Sequence, residues 1–221
     1  YGIGSSAASS AAAALAFDRL FNLNLDKRKL IKYAAEGEIA SAGIKHYDNV
    51  TGSLIGGFTI VRTIPEVEYI RFEPPKNLFF VIGIPIIPTP KKKTEKSRSV
   101  LPKKILLKHA INNIINASCV VAGFASKDIE MISKGIDDQI VEPARKHLIP
   151  GYDDIKKNAI KNGALALTIS GAGPSVIAIL NTKENAQDVI NSIKNGFMKE
   201  GVRSNVYLCK PSNGAKILKV E

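Results

Sequence analysis

The chain has 221 residues, enough to bury a core in one or two domains. Its 45 % hydrophobic and 23 % charged residues are ordinary for a folded globular protein and exclude disorder and collagen-like repeats. The net charge of +11 comes from dispersed lysines, with short clusters only at 27–29 and 91–93 and no interleaved aromatics, which favours a solvated surface over a nucleic-acid face.

The chain opens on a glycine-rich turn, Tyr1-Gly2-Ile3-Gly4-Ser5-Ser6-Ala7-Ala8, which runs into an Ala-rich helix. Ser5 or Ser6 is its expected N-cap, and it should stop near Asn22. A domain rarely begins on its tightest functional loop, so upstream sequence is expected to precede Tyr1. A second helix is expected from an Asp26 cap to about Ala42, with Leu30, Ile31, Ala34, Ala35 and Ile39 on its apolar face. Residues 46–50 read as a short loop leading to Gly56-Gly57, and 58–61 as a strand. The pattern breaks between Pro65 and Pro75, and the domain boundary is placed at 68/69. Residues 78–84 are β-rich, and the polar stretch 88–99 should be a mobile loop.

Helices are expected over 102–122, after Ser126 and over 153–162. Strands at 164–169 and 176–180 flank the turn Ser170-Gly171-Ala172-Gly173-Pro174-Ser175. A helix over 184–200 and a strand over 206–209 close the chain. Strand, helices, strand, strand, helix, strand is the order of a split βαβ, ferredoxin-like unit. No window reaches the roughly 20 apolar residues of a membrane span. The Ser/Ala opening lacks the basic stretch of a signal peptide. Cys119 and Cys209 lack disulfide-scaffold or metal-ligand spacing, and His46, His109 and His147 form no local cluster. The default is therefore a cytoplasmic protein with no membrane and no nucleic-acid partner.

Two glycine motifs carry chemistry. Glycines before a helix let the backbone approach an anion closely, and the helix start favours its charge. A serine hydroxyl there can also reach a magnesium ion. No Gly-Lys-Ser/Thr follows, so this is not a Walker A loop, and the dinucleotide fingerprint lacks its third glycine. By itself the segment is equally an ordinary Gly-Ser loop. The turn at 170–175 is either a tight hairpin or a second close-approach site.

The first segment resembles the second conserved motif of GHMP kinases, Pro-x-x-x-Gly-Leu-Gly-Ser-Ser-Ala, with Ile3 in place of Leu. Residues 168–175 resemble the third motif. Asp48-Asn49-Val50 with Gly56-Gly57, Glu142-Pro143-Ala144-Arg145, and Thr94 with Arg98 ahead of Leu101-Pro102 are similar to segments of the homoserine kinase branch. The resemblance is collinear over essentially the whole chain. It implies an α+β GHMP kinase fold of two domains. Residues 1–68 would be the remaining part of a ribosomal-protein-S5-domain-2-like, ATP-binding N-terminal domain. Residues 69–221 would be a ferredoxin-like C-terminal domain whose last residues pack back on the first.

The resemblance implies ATP and Mg2+ as cofactors and L-homoserine as substrate, with O-phospho-L-homoserine as product on the route to threonine. Tyr1, Gly2, Ile3, Gly4, Ser5, Ser6, Ala7 and Ala8 would bind ATP. Ser6, with Ser5 as fallback, and Glu38 would hold magnesium, with Glu36 the rival to Glu38. Asn49, Thr94, Arg98, Arg145, Gly171 and Gly173 would bind substrate, and the catalytic set would be Ser6, Glu38 and Arg145. An arginine suits a substrate carboxylate, because its planar fork donates two hydrogen bonds at once. No general base is named, and the 221 residues alone are expected to be weakly active or inactive. A homodimer is allowed. Mevalonate kinase, another kinase of the superfamily, and a basic nucleic-acid-binding protein of related fold are the alternatives.

Overall fold

The computed structural model describes residues 1–88 and 97–218, apart from the side chains of 41 and 42. The chain divides into two units. One holds Tyr1–Ile3 and Pro75–Lys210, and the other holds Gly4–Pro74 with the stretch that begins at Pro211.

The first unit is built on a four-stranded antiparallel sheet. Its strands are β3 (Phe79–Pro85), β4 (Ala166–Ile169), β5 (Val176–Leu180) and β6 (Ser204–Cys209), in the order β4-β5-β3-β6. This is the split βαβ order, with β3 between β5 and β6. Along β3, Phe79, Val81, Gly83 and Pro85 are buried and alternate with half-buried neighbours, so one face carries the core. Helices α7 (Tyr152–Lys161) and α8 (Ala186–Lys199) cover that face. On α8, Val189, Ile193 and Phe197 recur at four-residue spacing and are fully buried. Gly83 lets α8 lie close, since a Cβ there would collide with Ile193 and press on Val176.

Between β3 and β4 come α4 (Leu107–Ser126), α5 (Ile129–Lys134), the short α6 (Val141–Arg145) and a 3-10 turn, Lys146–Leu148. Helix α4 starts five residues later than expected, because residues 102–106 contribute no helical turn.

The second unit packs α1 (Ser5–Leu20), α2 (Lys27–Ala42) and α3 (Tyr47–Ile55) with the antiparallel ribbon β1 (Phe58–Arg62) and β2 (Glu68–Phe72). Asp26 caps α2 by accepting from Lys29 N at 3.0 Å, and Gly43 ends it in the left-handed region at φ 72°. The stretch read as a loop at 46–50 opens a helix instead. Val50, Thr51, Leu54 and Ile55 share one buried face, and that spacing outweighs the local turn signal of Asp48-Asn49.

Strand β2 was also missed. It is short and half-exposed, and it is defined by its pairing with β1, from Phe58 with Phe72 to Arg62 with Glu68. That pairing moves the division from the expected 68/69 to 74/75. The final stretch joins this unit through Gly57 N donating to Ser212 O at 2.8 Å and Ala215 N donating to Leu54 O at 3.3 Å.

Phe197→Ala should lower unfolding stability by about 3–5 kcal/mol through loss of a fully buried ring. Met198→Ala, at a position 58 % exposed, should stay within about 0.5 kcal/mol. Urea titration of the two variants measures both.

Candidate active site

The first unit brings the two glycine motifs together. Ser170 Oγ donates to Gly2 O at 2.8 Å across 168 residues of sequence, and Ser175 N donates to Tyr1 O at 3.2 Å. Gly173 N closes the turn onto Ser170 O at 2.9 Å. Gly2 sits at φ +82°, where a Cβ would strike Ser170 O and Gly173 O. Gly171 and Gly173 are also left-handed, at φ +55° and +72°. These residues are glycines because two backbones occupy the space a side chain would need.

Arg98 and Arg145 lie in the same unit. Arg145 Nε donates to Ser97 O at 2.9 Å, and Ser97 Oγ donates to Ala172 O at 3.1 Å. Arg98 is therefore next in sequence to the residue that joins Arg145 to the glycine turn. Burial holds the Arg145 guanidinium below its usual pKa, opposed by the charge of Asp138 and reinforced by repulsion from Arg98. Arg98 is exposed and near enough for its charge to act on the half-buried Arg145, and two neighbouring guanidinium groups suit an anion. Thr94 lies outside the described residues.

Helix α6, which carries Arg145, is only five residues long and cannot stand on its own hydrogen bonds. Asp138 supplies them. Its Oδ1 accepts from Ile140 N (2.8 Å), Val141 N (2.9 Å) and Asn113 Nδ2 (2.9 Å), and its Oδ2 accepts from Glu142 N (3.1 Å). Burial pushes the Asp138 carboxyl up, but these hydrogen bonds outweigh it and hold the group below its ordinary value of 3.8. Glu142 is buried and pins the helix from its side chain, pairing with Lys156 and accepting from Thr168 Oγ1 at 3.0 Å. Tyr152 stays protonated, because burial and the nearby Glu142 charge both push its phenol up.

The second unit holds the start of α1. The expected cap was Ser5 or Ser6, but Gly4 occupies the cap position at φ 68° with no side-chain hydrogen bond to the helix. Its left-handed backbone turns the chain into the helix, and Ser5 and Ser6 then fall in the first turn. No acidic residue lies in that turn, so its N–H groups and dipole remain suited to an anion.

Glu38 is 1 % exposed on the buried stripe of α2, with Leu30, Ile31, Ala34 and Ala35. Its Oε2 lies 3.1 Å from Nδ1 of His46, the residue that opens α3. Glu36 faces solvent and pairs with Lys45, which separates the two carboxylates as helical geometry requires. Gly37 faces Ser10 of α1 so closely that a Cβ would press on its hydroxyl. Asn49 is exposed in the first turn of α3.

Hard oxygen donors such as the Glu38 carboxylate and the Ser6 hydroxyl suit magnesium, which usually takes one or two protein oxygens plus phosphate and water. Burial of the Glu38 carboxylate in an apolar stripe is costly without a partner, and His46 supplies one.

Sequence reading missed His46, Ser97, Asn113 and Asp138. His46 carried a visible signal, eight residues after Glu38, but nothing indicated that the two would meet. Ser97 acts through its backbone carbonyl, and Asp138 through backbone N–H groups. Neither role leaves a mark in residue type alone.

The glycine turns and the ferredoxin-like sheet fit a small-molecule kinase of the GHMP class. The family model for the GHMP kinases N terminal domain matches residues 1–57, and that for GHMP kinases C terminal matches 120–199. The chain is 38 % identical over 214 residues to a homoserine kinase of Pyrobaculum aerophilum, covering 97 % of this chain and 71 % of the relative. It is 36 % identical to a homoserine kinase of Chlorobaculum tepidum, covering 98 % and 67 %. The crystal structure of homoserine kinase from Cytophaga hutchinsonii superposes with a TM-score of 0.90 at 37 % identity, covering 97 % and 67 %. The chain belongs to the homoserine kinase family of GHMP kinases. An L. major mevalonate kinase, at 15 % identity and a TM-score of 0.68, shares the fold alone.

Gly2→Ala should destabilise the protein more than Gly4→Ala. The second adds only the left-handed backbone cost of roughly 1–2 kcal/mol, because nothing lies within 4 Å of its Cβ. Urea unfolding compares them. Asp138 also sets a pH dependence. Its folded pKa is depressed, so its contribution is complete above the unfolded value and fades as pH falls through it. The stability gap between wild type and Asp138→Asn should be constant above about pH 5 and shrink below about pH 4. Unfolding titrations of both proteins at a series of pH values measure it.

Proposed function

We propose that this protein transfers the γ-phosphoryl group of ATP to the hydroxyl of L-homoserine, giving ADP and O-phospho-L-homoserine on the route to threonine. The observation that carries the reading is the Arg98–Arg145 pair tied through Ser97 to the glycine turn. It supports a small substrate bearing a carboxylate, and the close relatives named homoserine kinase point the same way.

In this reading Tyr1, Gly2, Ile3, Gly4, Ser5, Ser6, Ala7 and Ala8 bind the nucleotide. The backbone of Gly2 is shaped by the 170–175 turn, and the start of α1 offers N–H groups to phosphate oxygens. Gly171 and Gly173 give the substrate a backbone surface without side chains. Arg145 and Arg98 grip the homoserine carboxylate, and Asn49 is retained as a substrate residue from the family pattern. Thr94 is retained from the family pattern. Ser6 and Glu38 would hold magnesium, which when bound neutralises charge on the phosphates. As the substrate oxygen bonds to the γ-phosphorus, the bond from that phosphorus to the β,γ-bridging oxygen breaks, ADP leaves with that electron pair, and the hydroxyl proton is released to water. The chain's contribution is orientation and electrostatic stabilisation, which dominate phosphoryl transfer.

We place the reaction in the cytoplasm. Both cysteines are free, and among the described residues no helix is long and apolar enough to cross a membrane. The reading requires neither nucleic acid nor a membrane.

The test is ADP release by the complete natural polypeptide on L-homoserine and mevalonate. Arg145→Ala should lower kcat/KM for homoserine roughly 10- to 150-fold, the equivalent of about 1.5–3 kcal/mol for a charge-assisted contact. Arg145→Lys should not restore it, since lysine lacks the planar fork. Turnover on mevalonate but not homoserine would overturn the substrate assignment.

A further inference from the structure

The Asp138 carboxylate spends both oxygens on the start of a one-turn helix whose far end carries Arg145. These hydrogen bonds go to Ile140, Val141, Glu142 and Asn113, none of them in the glycine turn or assigned to substrate or nucleotide. Asn113 of α4 completes the arrangement. Its Nδ2 donates to Asp138 Oδ1, and its Oδ1 accepts from Gln139 N at 2.9 Å. Asn116, one turn further along α4, donates to Asp137 O at 2.6 Å. Residues 137–142 are thus fastened to the longest helix of the unit by side-chain amides.

We infer that Asp138, held by Asn113, is a positioning residue that sets the geometry of the Arg145 guanidinium toward the substrate carboxylate. The inference rests on the reading of Arg145 as the carboxylate-binding arginine.

Three features carry it. First, α6 is too short to hold its axis without external partners, so the group that binds its first-turn N–H groups is one of the few that set its direction. Asp138 binds three consecutive ones: Ile140, Val141 and Glu142. Second, Arg145 makes its own fixed contact to Ser97 O through Nε. Among the described residues that leaves the two terminal nitrogens of the fork as the pair to meet a carboxylate, and a bidentate contact tolerates little misorientation. Third, Asp138 is the acidic group whose charge acts on Arg145, against the repulsion of Arg98. It steadies the guanidinium electrostatically without taking up its donors.

The role predicts a specific kinetic pattern in the complete enzyme. Asp138→Ala should raise KM for homoserine about tenfold, in line with loss of a helix cap, and leave KM for ATP unchanged. Asp138→Asn keeps an oxygen for Ile140 N and Val141 N and should restore most of the affinity, since Asn caps almost as well as Asp. Asn113→Ala should shift homoserine KM in the same direction and serves as the second variant if Asp138→Ala does not fold.

The deciding measurement is the double-mutant cycle with Arg145→Ala. If Asp138 acts through Arg145, Asp138→Ala should add nothing in the Arg145→Ala background. Additive losses, or equal damage to ATP and homoserine KM, would show a merely structural role and overturn the inference. Arg145→Ala effective with Asp138→Ala silent would remove this inference alone. Arg145→Ala silent would remove the carboxylate reading and this inference with it.

Discussion

Gly2 and the 170–175 turn meet backbone to backbone, and the chemistry of the first unit is arranged around that contact. A side chain at Gly2 would separate the two segments. Without one, the carbonyl of Gly2 is held by Ser170 and that of Tyr1 by the Ser175 amide. A chain segment from the very start of the sequence is thereby built into a unit whose other residues begin at Pro75. The rigidity matters because phosphoryl transfer depends on placement rather than on a powerful reacting group.

The same turn also orders the arginines. Ala172 O receives the Ser97 hydroxyl, and Ser97 O receives Arg145 Nε, so hydrogen bonds and short stretches of backbone link Gly2 to a guanidinium. Arg98 and Arg145 repel each other, which costs stability in the absence of an anion. Asp138 and the docking of α6 hold that arrangement in place. Preorganised charge of this kind is worth more to a bound anion than the same charges free to turn in water.

In the second unit the corresponding constraint is Glu38. A carboxylate on the apolar stripe of α2 is tolerated because His46 meets it, and that contact also ties α2 to the start of α3, where Asn49 lies. The small residues Ala7, Ala11, Ala34 and Ala35 let α1 and α2 pack closely enough for Gly37 to touch Ser10. Glu36, two residues from Glu38, is left in solvent beside Lys45.

Much of this was legible from residue type and spacing. The sequence order of elements in the ferredoxin-like unit was legible from β-rich runs and turn residues, α1 from its helix propensity, and α2 and α8 from their periodicity. The two glycine motifs were visible as motifs, and Arg98 and Arg145 were singled out by the resemblance to the homoserine kinase branch. Helix α3 was misread because Asp48 and Asn49 are turn formers locally, while its helical character comes from burying Val50, Thr51, Leu54 and Ile55. Strand β2 was missed because a half-exposed strand is defined by its partner rather than by its own residues. Local pattern therefore determined most of the elements, the glycine positions and the chemical types available. Tertiary structure alone decided that Gly2 meets Ser170, that Glu38 rather than Glu36 is buried against His46, and that Asp138 orients the helix of Arg145. Each of these depends on contacts between residues distant in sequence or on backbone groups, and side-chain identity along the chain does not encode which of them will meet.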